Sequence, residues 1–91
     1  MSTSAIPLKM TPEHLVELLR GEALEQVRRG QPGAVLDFSG VTRIDAGAIK
    51  GLEDLARLAE ESNVPLQLRG VGIEVYRVLK LLKLAEKLSF A

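Results

Sequence analysis

The stretch AVLDFSGVTRIDAGAIKGL, residues 34–52, gathers the side chains best placed to do chemistry. Asp45 stands immediately before a helical pattern, where a carboxylate caps by accepting the backbone N–H of Gly47 or Ala48. Such a cap is worth about 1 kcal/mol, and the charge also faces the positive end of the helix dipole. A sharper reading makes Asp45 part of a recognition loop, and the two roles are compatible. Ser39, Thr42 and Arg43 share that loop. Gly47 is unusual in a first turn, where glycine costs about 1 kcal/mol relative to alanine. Its bare backbone either admits a partner or an anion at close range or relieves crowding against a sheet.

Several chemistries are excluded by spacing. GVTRIDAG fits neither the GxxxxGK[ST] nor the GxGxxG pattern, so it is no nucleotide cradle. Asp37 invites comparison with the phospho-accepting aspartate of response regulators, but it lacks the neighbouring acidic pair that would hold Mg²⁺. It reads as a solvated or turn-bonded aspartate. His14 is the sole histidine, far from residues 34–52 in sequence, and reads as a surface residue. Without a second histidine or a nearby serine it builds neither a triad nor a metal site. Cysteine is absent, which removes disulfides, thiol catalysis and thiolate-bound metal, and suits a reducing compartment. The expectation is no enzyme, no cofactor and no metal.

Composition narrows the partner class. Twelve basic and twelve acidic side chains cancel, which argues against a dedicated nucleic-acid or anionic-membrane binder. Arg77, Lys80, Lys83 and Lys87 make a rough basic stripe that reads as a solvated face. With 46% hydrophobic and 26% charged residues over 91 positions, the chain is one ordinary globular domain, 1–91. Its three aromatics, Phe38, Tyr76 and Phe90, leave the core to Leu, Val, Ile and Ala. MSTSAIPLKM has no signal-peptide pattern, and no apolar run approaches the ~20 residues of a membrane span. A cytoplasmic domain that is not membrane-inserted is expected.

The elements that must position the loop follow from periodicity. AIPLKM alternates, with Ile6, Leu8 and Met10 on one side, and Pro7 puts this short strand at or near a sheet edge. Thr11 and Pro12 open a helix expected over 12–29, with Leu15, Leu18, Leu19, Ala23 and Val27 on one face. Gly30, Pro32 and Gly33 turn the chain into the strand AVLDF. A helix follows from Ala48 to Glu61, burying Ile49, Leu52, Ala56 and Ala59. PLQLRG is a third strand, and 73–82 a helix with Val75, Val78, Leu79 and Leu82 inward. LAEKLSFA gives a last turn and a short terminal strand. This alternation of strand and helix demands βαβ units with right-handed crossovers. The fold class is therefore α/β, a small mainly parallel or mixed sheet packed with helices. Its functional edge is the carboxyl end of the strands, at residues 39–47.

The run from AVLDFSGVTRIDAGAIKGL through VYRVLKLLKL resembles a STAS domain, the module of bacterial anti-sigma-factor antagonists. In that family a strand ends in Asp-hydrophobic-Ser, a short loop follows, and Ile-Asp-Ser-Ser-Gly-Leu opens a long helix. Aligned without gaps, the two family serines fall on Ala46 and Gly47. In switching members the second is phosphorylated by the anti-sigma kinase and binding is lost. Neither Ala46 nor Gly47 can accept a phosphoryl group, so the resemblance implies a domain held in its binding-competent form. Ser39 and Thr42 remain as hydroxyls on the same loop. The implied partner surface comprises Ser39, Thr42, Arg43, Asp45, Ala46, Gly47, Lys50 and Asp54. The implied partner is an anti-sigma factor or other GHKL-type kinase. Alternatively, the chain resembles STAS subunits that regulate the ATPase of a bacterial lipid-transport ABC system.

Overall fold

The computed structural model describes residues 6–30 and 33–91. Four strands, β1 (Leu8–Lys9), β2 (Ala34–Asp37), β3 (Leu66–Arg69) and β4 (Ser89–Phe90), lie side by side in that order. Every pairing is parallel. The register brings Leu8, Leu36, Leu68 and Phe90 into one row across the sheet. Leu36 and Leu68 are fully buried at its centre, and each such leucine contributes about 1.5–3 kcal/mol. The next residues along, Lys9, Asp37 and Arg69, form a charged row pointing the other way.

Between the strands run α1 (Leu15–Arg20), α2 (Glu22–Arg29), α3 (Ala46–Glu61) and α4 (Ile73–Leu81). Because each crossover steps to the next strand in the same direction, right-handed connections place all helices on one face. Most parallel sheets are covered on both faces and read as continuous apolar runs. Here Ala34, Leu36, Leu66 and Leu68 are buried, while Val35, Asp37, Gln67 and Arg69 on the far face are half-buried or exposed. The two central strands are therefore buried on one face only.

The expected helix over 12–29 is instead three pieces: a 3₁₀ turn at Pro12–His14, then α1 and α2, separated by Gly21. Gly21 sits at φ −109°, ψ −93°, off helical geometry. Its N–H still donates to the Glu17 carbonyl at 2.9 Å, and its carbonyl accepts from Glu25 at 3.0 Å. The helical phase survives the break, so Leu15, Leu19, Ala23 and Val27 are all buried, with Leu18 half-buried. Thr11 precedes the 3₁₀ turn but makes no capping hydrogen bond. Ile6, expected within the first strand, lies before it and is 82% exposed, because β1 begins only at Leu8. Leu82, expected inward, is 45% exposed, since α4 ends one residue earlier. Ala5 and Pro32 lie outside the described residues.

Helix α3 is the longest and the best packed. Ala48, Leu52, Leu55, Ala56 and Ala59 are buried along one stripe. On its flank α1 crosses closely: a Cβ on Gly51 would stand 3.3 Å from Leu19 Cβ. Both α3 and α4 end in a left-handed residue, Asn63 and Lys83. The amides that follow, Val64 and Leu84, reach back to the Ala59 and Leu79 carbonyls at 2.9 Å each.

Candidate functional site

The loop between β2 and α3 is held by two apolar pins and two backbone turns. Phe38 and Val41 are buried, and the Val41 N–H donates to the Phe38 carbonyl at 2.9 Å. Asp37 Oδ1 accepts the Ser39 N–H at 2.9 Å, the turn-bonded role its position suggested. That bond, then the Ser39 hydroxyl, and the flanking Lys9 and Arg69 charges hold the Asp37 carboxyl below its usual range. With both pins inside, Ser39, Gly40, Thr42 and Arg43 are left exposed.

Asp45 caps α3 as its sequence position predicts. It adopts extended geometry, and its Oδ1 accepts the Ala48 N–H at 2.9 Å while its carbonyl takes the first helical bond, from Ile49. The helix consequently starts at Ala46, two residues before the expected Ala48. Ala46 is exposed at its first position.

Gly47 faces the first helical segment. A Cβ there would stand 3.3 Å from Val16 Cγ2 and 3.5 Å from Asp45 Oδ1. The close neighbour of that position is α1 and not the sheet. Val16 on α1 thus lies over the position where the family resemblance places the second serine.

Two depressions flank Arg43. An open cleft of about 540 Å³ separates Ser39, Thr42 and Arg43 from Gly70, Gly72, Ile73 and Glu74 in the loop between β3 and α4. Gly70 makes this approach possible: its φ is +69°, and a Cβ on it would lie 2.9 Å from Ser39 Cβ. A smaller groove of about 210 Å³ lies on the other side, between Arg43 with Asp45 and the segment Pro12–Glu17. Arg43 lines both.

The structure therefore divides the expected surface. Ser39, Thr42, Arg43 and Asp45 line the two depressions at the carboxyl edge of the sheet, with Ala46 exposed beside them. Gly47 is half-buried. Lys50 and Asp54 line neither depression; they pair with each other at 3.2 Å on the flank of α3, where Arg57 also reaches Asp54 at 3.3 Å. Exposed pairs of this kind contribute little to stability. His14 is exposed as expected, yet it belongs to the smaller groove rather than standing apart from the joint. Thr11 Oγ1 lies 3.5 Å from its Nδ1. Gly70, Gly72, Ile73 and Glu74, which face Ser39, Thr42 and Arg43 across the larger cleft, were not part of the expected surface. Their signal was available, since the loops after adjacent parallel strands share one edge.

Among the described residues, no three His, Cys, Asp or Glu side chains cluster to hold a metal ion, and no buried side-chain polar atom lacks a partner. No helix among them is long and apolar enough to cross a membrane.

Solved structures share this arrangement. A crystal structure of TM1081 from Thermotoga maritima, described as an anti-sigma factor antagonist, superposes with a TM-score of 0.75 at 18% identity, covering 98% of this chain and 83% of that one. The NMR structure of TM1081 gives 0.78 at 19% identity, covering 100% and 76%. A chain from the stressosome, described as a signal integration and transduction hub, gives 0.73 at 20%, covering 99% and 86%. At these identities the likeness concerns the fold. No curated protein sequence gives a significant match. Residues 9–89 match the family model described as "Mlab, STAS domain". That span takes in all four helices and, save Leu8 and Phe90, all four strands, and the chain belongs to the STAS domain family.

Proposed function

We propose that this domain is a non-catalytic, cytoplasmic regulatory module that binds a bacterial protein partner through the joint between β2 and α3, without a cofactor. The observation that carries the reading is Arg43, an exposed cation between two depressions beside the capped start of α3. Loops displayed by a rigid scaffold are where recognition residues concentrate. Ala46 and Gly47 carry no hydroxyl, so the joint binds without a phosphorylation switch at the family position. The partner class is an anti-sigma factor or another GHKL-type kinase. The likeness to a structure described as an anti-sigma factor antagonist supports that choice.

A second reading, a STAS subunit that regulates the ATPase of a bacterial lipid-transport ABC system, is favoured by the Mlab designation of the matching family model. Titration calorimetry against a GHKL-type anti-sigma kinase and against such an ATPase separates the two. The first reading expects binding to the kinase that Arg43→Glu weakens, with no label on residues 43–52 after incubation with ATP. Binding only to the ATPase would select the second reading. A phosphate on Ser39 or Thr42 that abolishes binding would move the switch along the loop.

A further inference from the structure

The exposed apolar side chains are not scattered. Of the five large ones among the described residues, Ile73, Tyr76, Leu81 and Leu82 lie on α4 or the residue after it. Ile73 is 68% exposed and Leu81 83%. Ile73, Arg77 and Leu81 recur every four residues, and Tyr76 and Lys80 fill the adjoining row, so one outward face alternates apolar and cationic groups. Tyr76 is fixed there by an edge-on contact with Phe90, ring centroids 5.2 Å apart. Such concentrations of exposed apolar area mark interaction sites.

The charges say what covers this face. Lys87 is bonded to Glu60 at 3.5 Å, whereas Arg77, Lys80 and Lys83 have no carboxylate partner among the described residues. We infer that the outer face of α4 is a second docking surface, which takes an acidic protein segment carrying large apolar side chains. The face meets the cleft beside Arg43 at Ile73, but the inference rests on α4's own side chains and not on the joint between β2 and α3 being a binding site. A second copy of this chain is a poor occupant, because its acidic helix α3 carries none of the large exposed apolar side chains among the described residues. A lipid surface is poorer still. Three unpaired cations fall short of the clusters of about four to eight that mark anionic-lipid binding, and Glu74 and Glu86 flank them.

The test is an amide-shift titration of the labelled domain with three probes. One is a synthetic amphipathic peptide with glutamate and leucine at helical spacing. The others are its lysine-for-glutamate counterpart and vesicles of mixed phosphatidylcholine and phosphatidylserine. The acidic peptide should shift Ile73, Tyr76, Arg77, Lys80 and Leu81, and salt should weaken it. Lys80→Glu and Leu81→Glu, both at exposed positions, should each weaken it at least about tenfold while the rest of the spectrum stays native. Equal binding of the basic peptide would reduce the face to unspecific apolar contact and overturn the inference. So would vesicle binding in place of peptide binding, self-association through α4, a footprint elsewhere, or no binding at all.

Discussion

Val16 Cγ2 stands 3.3 Å from the point a Cβ would occupy on Gly47, so α1 packs on the first turn of α3 where a side chain is missing. Gly47→Asp should fold, since aspartate exceeds glycine in helix propensity and the dipole favours its charge. It should nonetheless lose stability, because Val16 must give way and the new carboxylate lies beside Asp45. Val16→Ala relieves the contact, so in a urea-denaturation cycle the two substitutions should couple by on the order of 0.5–3 kcal/mol. Strict additivity would show that α1 does not bear on residue 47.

Asp45→Ala removes the hydrogen bond from Ala48 and should cost about 0.5–2 kcal/mol. For a domain of this size that lowers the melting midpoint by roughly 4–8 °C per kcal/mol. An unmoved midpoint together with lost partner binding would make Asp45 a recognition residue and not a cap.

Asp37 predicts a pH signature. Its carboxyl titrates lower in the folded chain than free, because the Ser39 N–H and the Lys9 and Arg69 charges favour the ionised form. The stabilisation is complete above the unfolded value of about 3.9 and is lost as pH falls through the lower folded value. Asp37→Asn keeps the turn acceptor and removes the charge. The stability gap between wild type and Asp37→Asn should therefore be widest near neutral pH and close in acid. A gap that persists unchanged below that range would locate the effect in packing.

The register of apolar residues made most of the fold legible. The runs AVLDF and PLQLRG, each set off by chain-breaking residues, gave the two central strands, and the shared phase of Leu15, Leu19, Ala23 and Val27 gave the core face of the first helical segment. The break at Gly21 was hidden by that same phase, since backbone hydrogen bonds carry it across the glycine. Ile6 and Leu82 continue their periodic patterns beyond the ends of β1 and α4, where no neighbour remains to cover them. The cap at Asp45 was local and could be read. What lay over Gly47, and how Gly70 brings Ser39 against the β3–α4 loop, are tertiary contacts between distant segments that no local pattern encodes. Lys50 and Asp54, part of the expected surface, stand exposed on the flank of α3, where the helix turns them toward each other, a pairing that their i, i+4 spacing made readable.

Ala46 tests the central claim without disturbing the packing at Gly47. It is exposed at the first position of α3, where aspartate suits the helix dipole, so Ala46→Asp should fold normally by circular dichroism. A charge desolvated in an interface without a counter-ion costs several kcal/mol. In calorimetric titration with whichever of the two partner proteins binds the unmodified domain, Ala46→Asp should weaken affinity at least about 100-fold. Full-strength binding by the folded variant would mean that the partner docks away from the joint between β2 and α3, contradicting the account.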